Sequence, residues 1–232
     1  MPSHPSERQP SMSTVLAFDC AVSGLGVAVV RDDAALASHR EEGRDQPARL
    51  LPVIAAVLAD AGVDRRALSL IAVTVGPGSF TGVRVGLAAA RGLSVALGVP
   101  LAGLATTDVL LAQAGPQDRL AVAAIDSKLG DWFCAICEPD CTPFLASAAE
   151  LAKRLGGRPS LIVGPQAATL APLLADAVAQ TTLPDPVVVA RLALADGVER
   201  WRARNREQGL PRPLYLRGVN ITLPDGARRT VE

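Results

Sequence analysis

Aromatic side chains are scarce in this chain: Phe, Trp and Tyr make up 3% of 232 residues, while hydrophobic residues as a whole make up 49%. A core of ordinary size must therefore be assembled from Ala, Val and Leu. Excess charge of either sign is also missing, since Lys plus Arg, 23, equals Asp plus Glu, 23. A free nucleic-acid binder usually carries a basic excess, so any RNA contact is expected to be indirect or local. No apolar run reaches the roughly 20 residues that cross a bilayer. The longest, Val83 to Leu97, is interrupted by Arg84 and Arg91. Met1 to Ser11 holds three prolines and no apolar stretch of the secretory-signal kind, so residues 1–12 are expected to form a flexible extension. No membrane contact and a cytoplasmic location are the default expectations.

Histidine is nearly absent, with only His4 in the leading segment and His39 on a strand-like run, which reads as a solvated surface residue. Cysteine is sparse but patterned, as Cys20 and the set Cys134-x-x-Cys137-x-x-x-Cys141. That spacing invites a zinc reading, yet no further Cys pair or nearby His completes a ligand set. Cys134 and Cys137 would point to opposite faces of a strand. The cysteines are therefore expected to be buried small hydrophobes, and no metal site is expected.

The remaining pattern is legible in chain order. Thr14 to Phe18 is a short apolar strand ending at Asp19, and Gly24 to Val30 and Ala34 to His39 complete a meander. Pro47 to Ala61 has helical spacing, with Leu51, Ile54 and Leu58 on one face. Ser69 to Val75 reads as a strand covered on both sides. Ser79 is placed to cap a long helix that ends before Gly98 and Pro100. The second half repeats this order, with Ala123-Ala124-Ile125-Asp126 corresponding to Leu16-Ala17-Phe18-Asp19. It continues with a strand over Asp131 to Cys137 and a helix over Ser147 to Leu155. A strand over Ser160 to Val163 and a helix over Gln166 to Ala179 follow. Pro186 to Val189 reads as a strand and Leu192 to Arg206 as a final helix. Two such meanders, each followed by helix-strand-helix, define an α/β fold. It has two ribonuclease-H-like lobes, doubled as in the actin, sugar-kinase and Hsp70 superfamily. The lobes are expected over 13–114 and 115–217, with a flexible tail over 218–232.

The helix after Ser79 is unusual. Gly82, Gly86 and Gly92 interrupt it, each at a cost of about 1 kcal/mol relative to Ala. Gly82, Gly86 and Ala90 form a small-residue stripe suited to tight helix packing, borrowing the steric logic of such stripes elsewhere. Val83, Val85, Leu87, Leu93, Val95 and Leu97 make the other faces apolar. A helix apolar nearly all round must be covered all round, either by a partner protein or by the two lobes of its own chain. The glycine-rich stretch before it lacks the Lys-Ser/Thr of a P-loop and reads as a structural turn.

Several segments resemble the TsaB (YeaZ) family. Val15-Leu16-Ala17-Phe18-Asp19-Cys20-Ala21 resembles its opening strand. Gly76-Pro77-Gly78-Ser79-Phe80-Thr81-Gly82-Val83-Arg84-Val85-Gly86 is similar to its signature almost letter for letter. Ala124 to Asp131 resembles its mid-chain motif, and Pro213-Leu214-Tyr215-Leu216-Arg217 its C-terminal one. A family histidine near the first helix has no counterpart here, where Asp45-Gln46-Pro47-Ala48 stands.

The resemblance implies a non-catalytic subunit required for the tRNA threonylcarbamoyladenosine modification next to the anticodon. Its implied partners are the catalytic paralogue TsaD and an ATPase, TsaE. The sequence leaves open whether the chain forms a homodimer when alone, and tRNA is expected to be met only through the complex. The implied partner face comprises Leu51, Ile54, Leu58, Phe80, Val83, Arg84, Leu87 and Arg91. No cofactor of its own is implied, with ATP or ADP at the complex junction. Kinase relatives make Asp19 and Asp126 the candidates for a shared nucleotide contact; the simpler reading is carboxylates capping strand-end turns. The alternatives are an actin-like small-molecule kinase and a glycoprotease-like peptidase. The missing Gly-Thr phosphate loop and the missing paired His argue against both. The arginines from Arg200 to Arg217 read as a solvated helix face, or as a contact to tRNA phosphates.

Overall fold

A computed structural model describes residues 12–43, 46–138, 140–217, 219–222 and 228–231. Apart from Met12, the extension expected at the start lies outside the described residues, as does much of the tail beyond 217. The first half runs β1 (Thr14–Asp19), β2 (Leu25–Arg31), β3 (Ala34–Glu41), α1 (Gln46–Asp60), β4 (Leu70–Thr74), α2 (Phe80–Leu97), β5 (Leu101–Leu104) and α3 (Thr106–Ala114). The second half runs β6 (Leu120–Asp126), β7 (Trp132–Ile136), β8 (Phe144–Ala146), α4 (Ala148–Leu155), β9 (Ser160–Gly164), α5 (Ala167–Leu170), β10 (Ala177–Thr181), α6 (Pro186–Asp196) and α7 (Val198–Gln208). A short hairpin, β11 (Val219–Thr222) and β12 (Arg228–Val231), follows.

The duplication read from the sequence is present in the sheets. The first has the order β3-β2-β1-β4-β5, and the second has β8-β7-β6-β9-β10. In each, the opening strand is antiparallel to the next strand and parallel to the one after the first helix. Both faces of β4 are covered, as its unbroken apolar run requires. Leu16, Phe18 and Val73 pack against α1 and α2 on one face, with Leu50, Val53 and Leu87. Val15, Ala17 and Ala28 pack against α6 and α7 on the other, with Val189, Ala193 and Trp201. The scarcity of aromatics is met as expected, because these layers are built from aliphatic side chains.

The helices cross between the halves. α3 belongs to the first half by sequence but packs on the second sheet, where Leu110 joins Ala123, Ile125 and Val163. α6 and α7 come from the second half but cover the first sheet. The division at 114/115 therefore follows the sheets and not the helices.

The described structure changes three sequence assignments. The helix expected over Gln166 to Ala179 ends at Leu170 and tightens to a 3₁₀ turn around Pro172, and Ala177 onward pairs with β9. Pro186 to Val189 reads as a strand because of its β-branched run, yet it opens a helix. Asp185 accepts from the Val187 N–H and Pro186 occupies the first turn, a helix-start signal that overrides the weak propensity. The final helix is two helices, parted at Gly197.

Candidate functional site

α2 starts as its sequence dictates, with the Ser79 hydroxyl accepting the Gly82 N–H at 3.2 Å. It is long and apolar enough to span a bilayer by length and composition, but it lies along β4 and β5 beside α1. The stripe of small residues faces inward. A methyl at Gly86 would stand 3.4 Å from Cys20 Cβ and 3.5 Å from Val73 Cγ2, so the glycine serves close approach to this chain's own sheet. Ile54, Val83 and Leu87, expected on a partner face, are buried in the first lobe's core, Leu87 being 3% exposed. The correction follows from helix geometry: once 82, 86 and 90 face the sheet, residues 83 and 87 flank them and are covered too.

The opposite face of α2 is open. Ala88, Gly92, Val95 and Ala96 are exposed, and among the described residues nothing lies within 4 Å of where a Gly92 methyl would be. Val95 is 73% exposed. On α1, Leu51, Ala55 and Ala59 are exposed at a spacing of four, and Leu51 is 55% exposed. Each of the two neighbouring helices thus leaves an outward row of mostly small apolar side chains exposed. Sequence reasoning counted Val95 among the apolar residues but did not separate this outward row from the inward one. The signal was the angular offset between positions 82, 86, 90 and positions 88, 92, 95.

Phe80, Arg84 and Arg91 have a different role. The segment 210–217 runs back across the first lobe, with the Leu214 N–H donating to Val75 O at 2.8 Å. Arg91 Nε donates to Pro211 O at 3.1 Å. The Arg84 guanidinium carbon lies 3.6 Å from the Phe80 ring centroid, and its Nε donates to Tyr215 Oη at 2.8 Å. Phe80 and Tyr215 rings stack at 5.9 Å. Arg217 then pairs with Asp131 of the second lobe. This segment is a strap that ties α2 to the other half.

Strap, α2 start and the β6–β7 turn enclose a cleft of about 950 Å³, lined by Ser23, Ser79, Phe80, Asp126, Lys128 and Tyr215 among others. The two candidate carboxylates close matching turns: Asp19 Oδ1 accepts the Ala21 N–H at 3.0 Å, and Asp126 Oδ1 accepts the Lys128 N–H at 2.7 Å. Only Asp126 reaches the cleft. Asp19 is 1% exposed, takes a hydrogen bond from Thr74 Oγ1 at 2.5 Å, and among the described residues has no hydrogen-bond partner for Oδ2. Burial pushes its carboxyl above the ordinary value, against the Thr74 and Ala21 bonds. Burial also opposes ionisation of Asp126, but Lys128, bonding through both its backbone N–H and its ammonium, holds that carboxyl below the usual range.

Other sequence candidates separate. His39 is exposed beside Glu41 Oε2 at 3.3 Å, and Arg49 holds the same carboxylate. Arg200 and Arg204 pair with Asp196, and Arg202 with Glu199, as a solvated helix face would. Cys20 and Cys134 are buried, but Cys137 is exposed and Cys141 only partly covered, because β7 ends at Ile136 and both lie in the turn that follows. That corrects the expectation of four buried thiols. Among the described residues no group of three or more His, Cys, Asp and Glu could hold a metal ion.

Two sheets of identical strand order, one in each half of the chain, define the class as a two-lobed actin-like protein. The chain is 27% identical to a Pseudomonas aeruginosa protein described as similar to peptidase YEAZ, at a TM-score of 0.72 over 89% of this chain and 100% of that one. It is 29% identical to YeaZ from Pseudomonas aeruginosa, at 0.68 over 88% and 100%. Among curated proteins, it is 29% identical over 162 residues to TsaB of Bacillus subtilis, a tRNA threonylcarbamoyladenosine biosynthesis protein. That match spans 65% of this chain and 70% of the Bacillus protein. It is 30% identical over 128 residues to Escherichia coli TsaB, spanning 54% of this chain and 55% of that protein. A family model described as TsaD, tRNA N6-adenosine threonylcarbamoyltransferase, matches residues 39–135. The chain is similar to the TsaB (YeaZ) family in sequence and in fold.

Proposed function

We propose that this chain acts in tRNA threonylcarbamoyladenosine biosynthesis as a non-catalytic subunit that pairs, through the outer face of α1 and α2, with a TsaD-like catalytic subunit. The observation that carries the reading is Gly92: it costs helix stability, is exposed, and a methyl added there would meet nothing within 4 Å among the described residues. With Ala88, Val95 and Ala96 exposed on the same helix, and Leu51, Ala55 and Ala59 exposed on the neighbouring α1, it offers a partner helix backbone a close approach. Contiguous apolar patches of this kind mark protein contacts.

The match of residues 39–135 to the TsaD description is what a shared ancestral lobe produces, and the chemistry differs. The stretch Gly103 to Leu110 has no histidine where TsaD-like enzymes carry a metal-binding pair. Asp19 is buried and the Lys128 ammonium is held by Asp126 at 2.8 Å, which supports a nucleotide shared with a partner over one bound by this chain alone. ATP or ADP belongs, in this reading, at the junction with the TsaD-like and TsaE-like subunits, where tRNA is also met. The peptidase reading is disfavoured because His39, the one histidine among the described residues, is engaged by Glu41 at 3.3 Å, and the exposed Cys137 lies against Cys141.

Co-expression with the TsaD-like subunit tests the proposal. Wild type is expected to elute from gel filtration as a heterodimer, and Val95→Glu as separate chains with an unchanged melting temperature. Pairing that survives both Val95→Glu and Ala88→Glu would remove this face as the contact. Magnesium-dependent ATP hydrolysis by the purified chain alone would replace the scaffold reading with the kinase one.

A further inference from the structure

The turn between β7 and β8 carries Cys137 and Cys141 with their Sγ atoms 2.8 Å apart. A disulfide bond length is about 2.05 Å, so the sulfurs need to close by less than about 1 Å. The turn is held on both sides. Glu138 pairs with Arg158 at 2.8 Å, and Asp140 Oδ1 accepts the Thr142 N–H at 3.2 Å. Cys141 itself sits at φ 52, a left-handed conformation uncommon outside glycine. Cys137 is exposed, while Cys20 and Cys134 are buried. Solution reagents therefore meet the turn pair first.

We infer that Cys137 and Cys141 form a reversible disulfide modification site, oxidised by exchange with a low-molecular-weight disulfide. The exposed Cys137 thiolate attacks one sulfur of the oxidant, forming a mixed disulfide and expelling one thiolate. Cys141 then loses its proton to solvent and attacks Cys137 Sγ, forming the intrachain bond and expelling the second thiolate. Two protein thiols are oxidised and one disulfide is reduced to two thiols. In the reduced protein the Cys141 thiol is pushed up to about 12, by burial first and then by the hydrogen bond and charge of Cys137. Consuming Cys137 removes its hydrogen bond and charge, while burial and the charges of Asp108 and Asp140 remain, so Cys141 is left easier to ionise for the closing step. The pair lies on the second sheet's β7–β8 edge, away from α1 and α2, so its chemistry is separate from pairing.

The test incubates the purified full-length protein with excess oxidised glutathione, alkylates free thiols, and maps the tryptic peptide Leu129 to Lys153 by mass spectrometry without reduction. Wild type is expected to show a Cys137–Cys141 disulfide, no lasting glutathione adduct, and a thiol at Cys134; dithiothreitol restores both thiols. Cys141→Ser is expected to stop at a stable adduct on Cys137. A glutathione adduct that persists in wild type overturns the inference. So does wild type left fully alkylatable under conditions that convert Cys141→Ser to its adduct.

Discussion

Leu87 shares a buried cluster with Leu16, Phe18, Ile71 and Val73, so position 87 reports on the core. Leu87→Ala is expected to cost about 2–5 kcal/mol and Leu87→Glu to prevent folding of the first lobe, measured by denaturant unfolding. Asp19 works in the other direction. Its carboxyl titrates higher in the folded protein than its ordinary 3.8. The folded state thus binds the proton more tightly, and this group's contribution is complete below pH 3.8 and is lost as pH rises through the folded value. Asp19→Asn keeps an acceptor for Ala21 and Thr74 without the buried charge. It is expected to melt at or above wild type at neutral pH, and to flatten the decline above about pH 4. Asp19→Ala leaves the Thr74 hydroxyl and the Ala21 N–H unpaired, and is expected to lose about 1–3 kcal/mol per group.

At the level of elements, α2 separates folding from association. Gly92→Ala is expected to stabilise the isolated chain by up to about 1 kcal/mol while weakening pairing, an opposition read by comparing melting temperature with heterodimer yield. The strap has a comparable pressure point. A methyl at Gly103 would stand 2.6 Å from Pro211 Cβ and 2.8 Å from Val75 Cγ1. Gly103→Ala is expected to lift the strap and speed proteolysis over 210–217, with a smaller loss in overall stability. The sequence made the helix, its Ser79 cap and its excess of apolar faces legible, because periodicity and caps are local. It could not say which face the sheet would take, since that is set by tertiary contacts such as Gly86 against Cys20, 66 positions away. Nor did it reveal the Phe80–Arg84–Tyr215 stack, which joins residues 131 positions apart. The Pro186 run misled for a related reason: three β-branched valines mimic a strand until Asp185 is seen to cap them.

For the whole molecule, the internal repeat was readable from two short Asp-terminated strands, and the sheets carry it through every pairing. The crossing helices were not readable, because a packing partner leaves no periodic trace. Their exchange predicts the behaviour of fragments. Residues 12–116 alone lack α6 and leave Val15, Ala17, Ala28 and Val30 uncovered on one side of the first sheet. Such a fragment is expected to show no cooperative melting, and co-expression with 117–217 to restore it.

The same exchange sets a timetable for synthesis. While the ribosome is still emitting the second sheet, the first has only one of its two lids. It must wait, with an aliphatic surface bare, until Pro186 to Gln208 emerges. The first half of this protein to be made is the last to be closed, and a nascent-chain chaperone has its longest opportunity on the α6 side of β1 and β2.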